Sequence, residues 1–351
     1  MCCRTSRNIA HHITAYYVLL TWVYDAFNEL PYLRFRGDYG TGKTRALLTI
    51  GSICYKPFFA SGASTVSPIF HVLDAMGGTL ILDEADLRFS DATADLTKIL
   101  NNGTVRGMPV LRTMTNRHRE LNPQAFKVFG PKVIGMRERF ADRALESRFL
   151  TEETGTRPLR ADIPIQTPDA LQAEAQALRN RLLAWRFHAR HTVGPDPSRL
   201  IHGVEPRRNQ LALALLSLID DETVRERIRH ELVGWEARVL HERAATPEAT
   251  MLACLRDAFA GHSRLFVSVA EVTRQFNDRM AVELGTPMSP KWVGGVIRTK
   301  LHIQTHKTRG IYVVPCTERS KIETLAARYG LSPLVSRNQS AFGYVSQQKT
   351  K

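Results

Sequence analysis

Gly37-Asp38-Tyr39-Gly40-Thr41-Gly42-Lys43-Thr44 reads G-x-x-x-x-G-K-T, the spacing of a phosphate-binding loop. An apolar run with strand character, Tyr32-Leu33-Arg34-Phe35, precedes it, and a helical run, Arg45-Ala46-Leu47-Leu48-Thr49-Ile50, follows. The motif requires that strand–loop–helix context. Its glycines let backbone N–H groups turn inward around phosphate oxygens. The positive end of the helix opening near Lys43 adds to the same site. Gly37, Asp38, Tyr39, Gly40, Thr41 and Gly42 then line the phosphates, Lys43 reaches the β- and γ-phosphates, and the Thr44 hydroxyl holds Mg²⁺. A chance glycine-rich turn is the plain alternative, and a second motif speaks against it.

That second motif is Thr79-Leu80-Ile81-Leu82-Asp83-Glu84, a buried parallel strand ending in two carboxylates. Asp83 belongs in the Mg²⁺ shell, and Glu84 orients and polarises an attacking water. An acidic pair at a strand end can also be a mere helix cap, but the distance from Gly37–Thr44 allows one βαβ crossover or two. Asp83-Glu84-Ala85-Asp86 spells the DEAD tetrapeptide of one helicase superfamily. That family's S-A-T and H-R-x-G-R-x-x-R motifs are not present, which excludes it.

Composition narrows the partner. Over 351 residues the chain carries 48 Lys and Arg against 34 Asp and Glu, a formal net charge of +14. That favours a polyanion, nucleic acid in particular, although an excess can also serve solubility. The length suits two or three domains. Cys2, Cys3, Cys54, Cys254 and Cys316 form no zinc-type pairs, and five is an odd count, as expected in a reducing, cytoplasmic setting. No secretory signal is evident, and the apolar run 13–24 is too short and too aromatic to cross a membrane.

Taken in order, Ile13, Tyr17, Leu20, Tyr24, Phe27 and Leu30 recur at helical spacing and Pro31 ends the run. Residues 56–60 read as a strand, and a helix follows with Ser67 as cap and Pro68 at its first position. A helix from Ser90 to Leu100 leads into a hairpin or extended loop over 103–119, made basic by Arg106, Arg112, Arg117 and Arg119. Such a segment either touches DNA phosphates or is a solvated basic loop. Lys132-Val133-Ile134-Gly135-Met136 is the next buried strand.

Ala144-Leu145-Glu146-Ser147-Arg148-Phe149 resembles the S-R-F box of AAA+ ATPases. There the arginine is a finger offered to the neighbouring subunit's γ-phosphate. The resemblance makes Arg148 that finger, with Arg143 as its competitor and a structural ion pair with Glu138, Asp142 or Glu146 as the alternative. The family's first sensor, often Asn or Thr, is replaced by Met136-Arg137, which departs from the pattern and leaves Arg137 as the candidate substitute. Residues 31–150 together resemble the AAA+-like ATPases found beside primases and helicases on plasmids, phages and integrated elements.

After a polar linker, Thr167-Pro168 opens a helix carrying Leu171, Ala175, Leu178, Leu182 and Trp185. A second follows Pro206, opening on Arg207-Arg208 as a candidate second sensor. Such a helical lid is what the resemblance implies. Helices from Thr246-Pro247, Ser268-Val269-Ala270-Glu271 and Ser289-Pro290, a short strand at 265–267 and an alternating run at 311–314 after a basic tip then resemble a winged helix. Lys291, Arg298, Lys300, Lys307 and Arg309 are its candidate DNA contacts. The expected layout is an N-terminal helix (1–30), a P-loop α/β core with a parallel sheet between helices (31–160), a helical lid (161–245), a small α+β winged-helix domain (246–316), and a C-terminal helix with a disordered tail (317–351).

The resemblance implies an ATP- and Mg²⁺-dependent motor that works on DNA, assembled as a homo-oligomeric ring such as a hexamer, with a primase among candidate partners. Its rivals are a nucleotide switch or loader that does not unwind, and a winged-helix regulator whose ATP site only stabilises the fold. Lys43 and Glu84, both intact, argue against the regulator.

Overall fold

The computed structural model describes residues 2–61, 65–85, 91–115, 121–140, 142–155, 163–164, 166, 168–260 and 264–331. The chain divides into two compact units, Met1–Val233 and Gly234–Lys351. The first unit opens with α1 (Cys2–Val23) and continues through β1 (Tyr32–Arg36), α2 (Lys43–Gly51), β2 (Pro57–Ser61), α3 (Val66–Met76), β3 (Thr79–Asp83) and α4 (Asp91–Asn102). Then come β4 (Val110–Thr115), β5 (Leu121–Phe126), β6 (Lys132–Met136), α5 (Arg143–Glu146), β7 (Phe149–Glu153), α6 (Ala170–Ala189) and α7 (Pro206–Leu216), and the division between the units falls within α8 (Glu222–Ala244).

Five strands form one parallel sheet in the order β2-β3-β6-β1-β7. The expected P-loop α/β core is present in this form. β1, β3 and β6 are buried almost throughout, as central parallel strands are, with the charged Arg34 and Lys132 taken inside among apolar residues. The core under one face gathers Phe70, Leu73, Leu80, Leu96, Ile99, Ile134 and Phe149.

Several local expectations are displaced. The N-terminal helix stops at Val23 rather than before Pro31, and Phe27 and Leu30 are buried outside it. The third helix begins at Val66 after Thr65, so Ser67 is not its cap. The hairpin pairs 110–115 with 121–126, not 103–119. Gly103–Arg106 instead folds back on the segment after α1: Leu30 N–H donates to Thr104 O, and Arg106 N–H to Asn28 O. Arg117 and Arg119 lie outside the described residues, as does the tail from 336 onward. On α6 the buried positions are Ala175, Leu182, Arg186 and Ala189, while Leu178 is 37% exposed. Arg186 is tolerated inside because Asp25 receives two of its hydrogen bonds, at 2.9 and 2.8 Å.

The S-R-F segment is built into its own protomer. Arg34, 2% exposed in the middle of β1, donates to both Glu146 oxygens at 2.7 and 2.5 Å, and its guanidinium lies 5.0 Å from the Phe149 ring centre. Burial alone would raise the Glu146 carboxyl; the hydrogen bonds and charge of Arg34 outweigh it and hold that carboxyl below its usual range. Arg148 is 8% exposed, and its guanidinium donates to Leu100 O at 3.3 Å and to Asn101 O, the last carbonyls of α4. In this arrangement the cation caps a helix C-terminus and is not turned outward as a finger would be. Its alternative partner Glu146 is taken by Arg34. Arg143's side chain lies outside the described residues.

The second unit holds α9 (Pro247–Phe259), β8 (Phe266–Ser268), α10 (Val269–Leu284), α11 (Pro290–Thr299), β9 (His306–Thr308), β10 (Ile311–Pro315) and α12 (Arg319–Arg328). Its antiparallel sheet runs β8-β10-β9. Thr246, Ser268 and Ser289 cap their helices as their spacing predicts, each accepting a backbone N–H three residues on. Arg309 and Gly310 both take positive φ in the hairpin turn, the backbone a two-residue hairpin loop favours.

Two stability outcomes follow from buried charge. Burial, and then the charges of Glu231 and Glu153, push the Glu152 carboxyl on edge strand β7 up to about 7 from its ordinary 4.5. Between those values the folded state holds a proton that the unfolded chain releases, so stability falls as pH rises through that window and is flat above it. Glu152→Gln is expected to flatten that slope and to raise stability above neutral pH by roughly 1–3 kcal/mol, read from urea midpoints across the window. Arg148→Ala strands buried α4 carbonyls and is expected to cost about 1–3 kcal/mol in the same assay. An unchanged midpoint would return Arg148 to the finger role.

Candidate active site

Parallel strands deliver their carboxyl ends to one edge of the sheet. Arg36 lies level with Met136, and Ser61 with Asp83. The phosphate loop leaves β1 there and enters α2 at Lys43. Its start is tied to the neighbouring strand, where Gly37 N–H donates to Met136 O at 3.3 Å. Gly40 and Gly42 take φ of 68° and 86°, a left-handed backbone in which a side chain is strained. Thr41 Oγ1 donates to Asp38 O at 2.8 Å and meets Thr154 Oγ1 at 2.9 Å, which pins the loop to the end of β7.

Thr44 and Asp83 come together: Thr44 Oγ1 donates to Asp83 Oδ2 at 2.6 Å. The two expected metal-binding oxygens are therefore adjacent although 39 positions apart. Gly135, on the strand between them, keeps the space open; a Cβ there would stand 2.9 Å from Asp83 Oδ1. Two hard oxygens and no larger ligand cage suit Mg²⁺, which retains several waters and takes few protein ligands. Among the described residues no group of three or more His, Cys, Asp or Glu forms a competing metal cluster. Beside this pair opens a cavity of about 290 Å³ bordered by Thr44, Leu48, Phe59, Ser61 and Asp83.

Glu84 follows at φ 54°, a sparsely populated backbone for a residue with a side chain. Asp83 Oδ1 accepts the Glu84 N–H at 2.9 Å, and Ala85 N–H donates to Gly135 O at 3.0 Å. The turn projects Glu84 into solvent at the same sheet edge. Strain of this kind is maintained where the surroundings over-determine it, and such positions gather at functional sites. Lys43 Nζ is folded onto the loop, donating to Gly37 O and Asp38 O at 2.7 Å each. It must leave those carbonyls to meet a phosphate.

The structure adds one group at this edge whose packing no sequence pattern announced. Arg137, at the end of β6, stacks 3.7 Å from the ring centre of Tyr39 and donates to its hydroxyl. Tyr39 is itself 72% exposed. The two candidate contacts on the basic segment are used elsewhere. Arg106 donates to Asp25 O and Phe27 O and lies over Phe129, while Arg112 pairs with Asp95 at 3.1 Å and lies over Phe70. Arg106 remains exposed and Arg112 half-buried, so each holds its partners at the surface of its own chain. Arg207 stands near enough to Arg148 that, after burial, its charge is the next influence disfavouring that cation. In the second unit Lys291, Arg298, Lys300, Lys307 and Arg309 are all exposed on α11 and the β9–β10 hairpin.

No protein-family model matches the chain, and no curated protein does. Among solved structures it is similar to the C-terminal region of NrS-1, at 12% identity and TM-score 0.39, over 89% of this chain and 75% of that one. It is also similar to the active helicase Cch of SCCmec type IV, at 14% identity and TM-score 0.39, over 89% and 68%. A further similarity is to JCV helicase, at 17% identity and TM-score 0.27, over 69% of this chain. The chain spans 59% of that helicase's length. TM-scores this low assign neither fold nor function, and the P-loop assignment rests on the loop, the acidic strand end and the sheet that aligns them.

Proposed function

We propose that the chain is an ATP-dependent DNA-remodelling motor, a helicase or helicase-like ATPase of mobile-element type, that hydrolyses ATP with Mg²⁺ at a subunit interface. The observation that carries this reading is the 2.6 Å contact between Thr44 Oγ1 and Asp83 Oδ2, which joins the two halves of a nucleotide site. Backbone N–H groups of Gly37–Thr44 cradle the phosphates, and Lys43 turns from the loop carbonyls to the β,γ-oxygens. Thr44 and Asp83 hold Mg²⁺, which when bound neutralises charge on those oxygens. Glu84 orients and polarises the attacking water.

With Arg148 committed to α4, the arginine lent by a neighbouring subunit is Arg143, one residue ahead of the same box. Such a donor requires a homo-oligomer, and a ring supplies one at every interface. Within this reading α6 and α7 serve as the lid over the core. The α9–β10 segment is the winged helix, with α11 entering a groove and the β9–β10 hairpin touching backbone. No described helix is long and apolar enough to cross a membrane. A cytoplasmic setting and a primase partner belong to the same proposal.

Phosphate release, measured with and without single-stranded DNA and paired with a strand-displacement assay, tests this reading. A motor shows DNA-stimulated turnover and displacement, whereas turnover without displacement identifies a switch or loader. Lys43→Ala is expected to abolish nucleotide binding. Glu84→Gln is expected to retain ATP while turnover falls roughly 10²–10⁴-fold; turnover at the wild-type rate would remove Glu84 from the chemistry.

A further inference from the structure

Some cations of the second unit are paired with carboxylates and others are not. Arg264, Arg279 and Lys321 are each paired with a carboxylate, Glu271, Asp257 and Glu318 respectively. Lys291, Arg298, Lys300, Lys307 and Arg309 are not; among the described residues none of the five has a carboxylate partner. They sit on α11, at its C-terminal cap and on the β9–β10 hairpin; Arg274 on α10 and Arg328 on α12 are exposed cations elsewhere in the unit. Five cations on one helix and the hairpin that follows it make a surface suited to a polyanion.

An aromatic ring stands among these cations. Tyr312 is 53% exposed on β10 and pairs directly across from Lys307, so the two side chains share a face of the hairpin. Arg298 reaches over from α11 and lies 5.7 Å from the Tyr312 ring centre. It is held there by Thr305, whose hydroxyl accepts from the guanidinium at 3.2 Å, and a side chain at Gly294 would stand 3.3 Å from it. Gly295 leaves open space beside it.

A duplex offers phosphates and groove edges on its outside and keeps its base faces stacked within. A protruding tyrosine flanked by a planar cation matches what only an unpaired strand presents, the face of a base. We propose that the surface formed by α11 and the β9–β10 hairpin binds single-stranded nucleic acid by stacking a base on Tyr312 beside Arg298, while Lys307 and Arg309 hold the flanking phosphates. This rests on the DNA-binding reading of the second unit and names the form of nucleic acid it takes.

The test uses the full chain without nucleotide and a fluorescent mixed-sequence oligodeoxynucleotide, offered as a single strand or as a blunt duplex, in an anisotropy titration at fixed salt. Tyr312→Ala is expected to weaken single-strand binding about tenfold and to leave duplex binding nearly unchanged, while Tyr312→Phe, which keeps the ring, binds like the wild type. Loss of both ligands to the same degree, or no loss on the single strand, would overturn the proposal. Because ATP is absent, a chain that stacks bases yet never hydrolyses ATP would refute the motor reading and leave this one standing.

Discussion

Five strands running the same way are the constraint on which the rest depends. Parallel alignment brings every carboxyl end to one edge, and there the loop after β1, the acid pair after β3 and the arginine after β6 meet. No single strand could make the site. Thr44 and Asp83 touch only because β1 and β3 flank β6 in register, and Asp83 has room only because position 135 of β6 lacks a side chain. The dense packing around these strands leaves the loop few ways to drift. It is fastened at both ends, to Met136 by backbone and to Thr154 by side chain.

The opposite edge of the sheet is held by different means. Tyr32 is level with Phe149, so Arg148 lies one five-residue strand away from the loop, roughly 17 Å at the rise of a β-strand. Between the edges the Arg34–Glu146 pair anchors the segment that connects β6 to β7. A buried ion pair of this kind is weak evidence for net stability, since desolvation offsets much of the attraction. Its consequence is positional. Glu146 also accepts the Phe140 N–H at 3.1 Å, so one carboxylate fixes both sides of the turn and thereby directs Arg148 into α4.

The sequence carried the site more clearly than the fold around it. The loop and the acidic strand end have fixed chemistry at fixed spacing, and their elements appear where the residues placed them. Helix caps such as Thr246, Ser268 and Ser289 were equally readable, because a cap is a local hydrogen bond. The hairpin was not. Gly103–Arg106 and Val110–Thr115 look alike as short polar-apolar runs, and only the long-range bond from Leu30 to Thr104 separates them. α8 escaped notice for another reason: Ile228 and Leu232 are its buried anchors, set in a run that is charged nearly all round. The S-R-F box shows the limit of motif reading. Its letters specify an arginine at a strand start, and they say nothing of whether carbonyls or a neighbour receive it.

Net charge illustrates the same limit. An excess of +14 invites a nucleic-acid reading of every arginine cluster. Yet in the first unit Arg34, Arg106, Arg112, Arg148 and Arg186 are each bound to carboxylates or backbone carbonyls of their own chain. Lys132, fully buried, keeps two carbonyls company at 2.8 and 3.0 Å, and burial draws its ammonium down to about 7. These cations close helix ends and turns, a task for which a fork of donors is well suited. Among the described residues the exposed cations of α11 and the hairpin of the second unit have no carboxylate or carbonyl partner. A charge count therefore locates no partner until internal hydrogen bonds are subtracted, and one group that survives the subtraction sits beside an exposed aromatic ring.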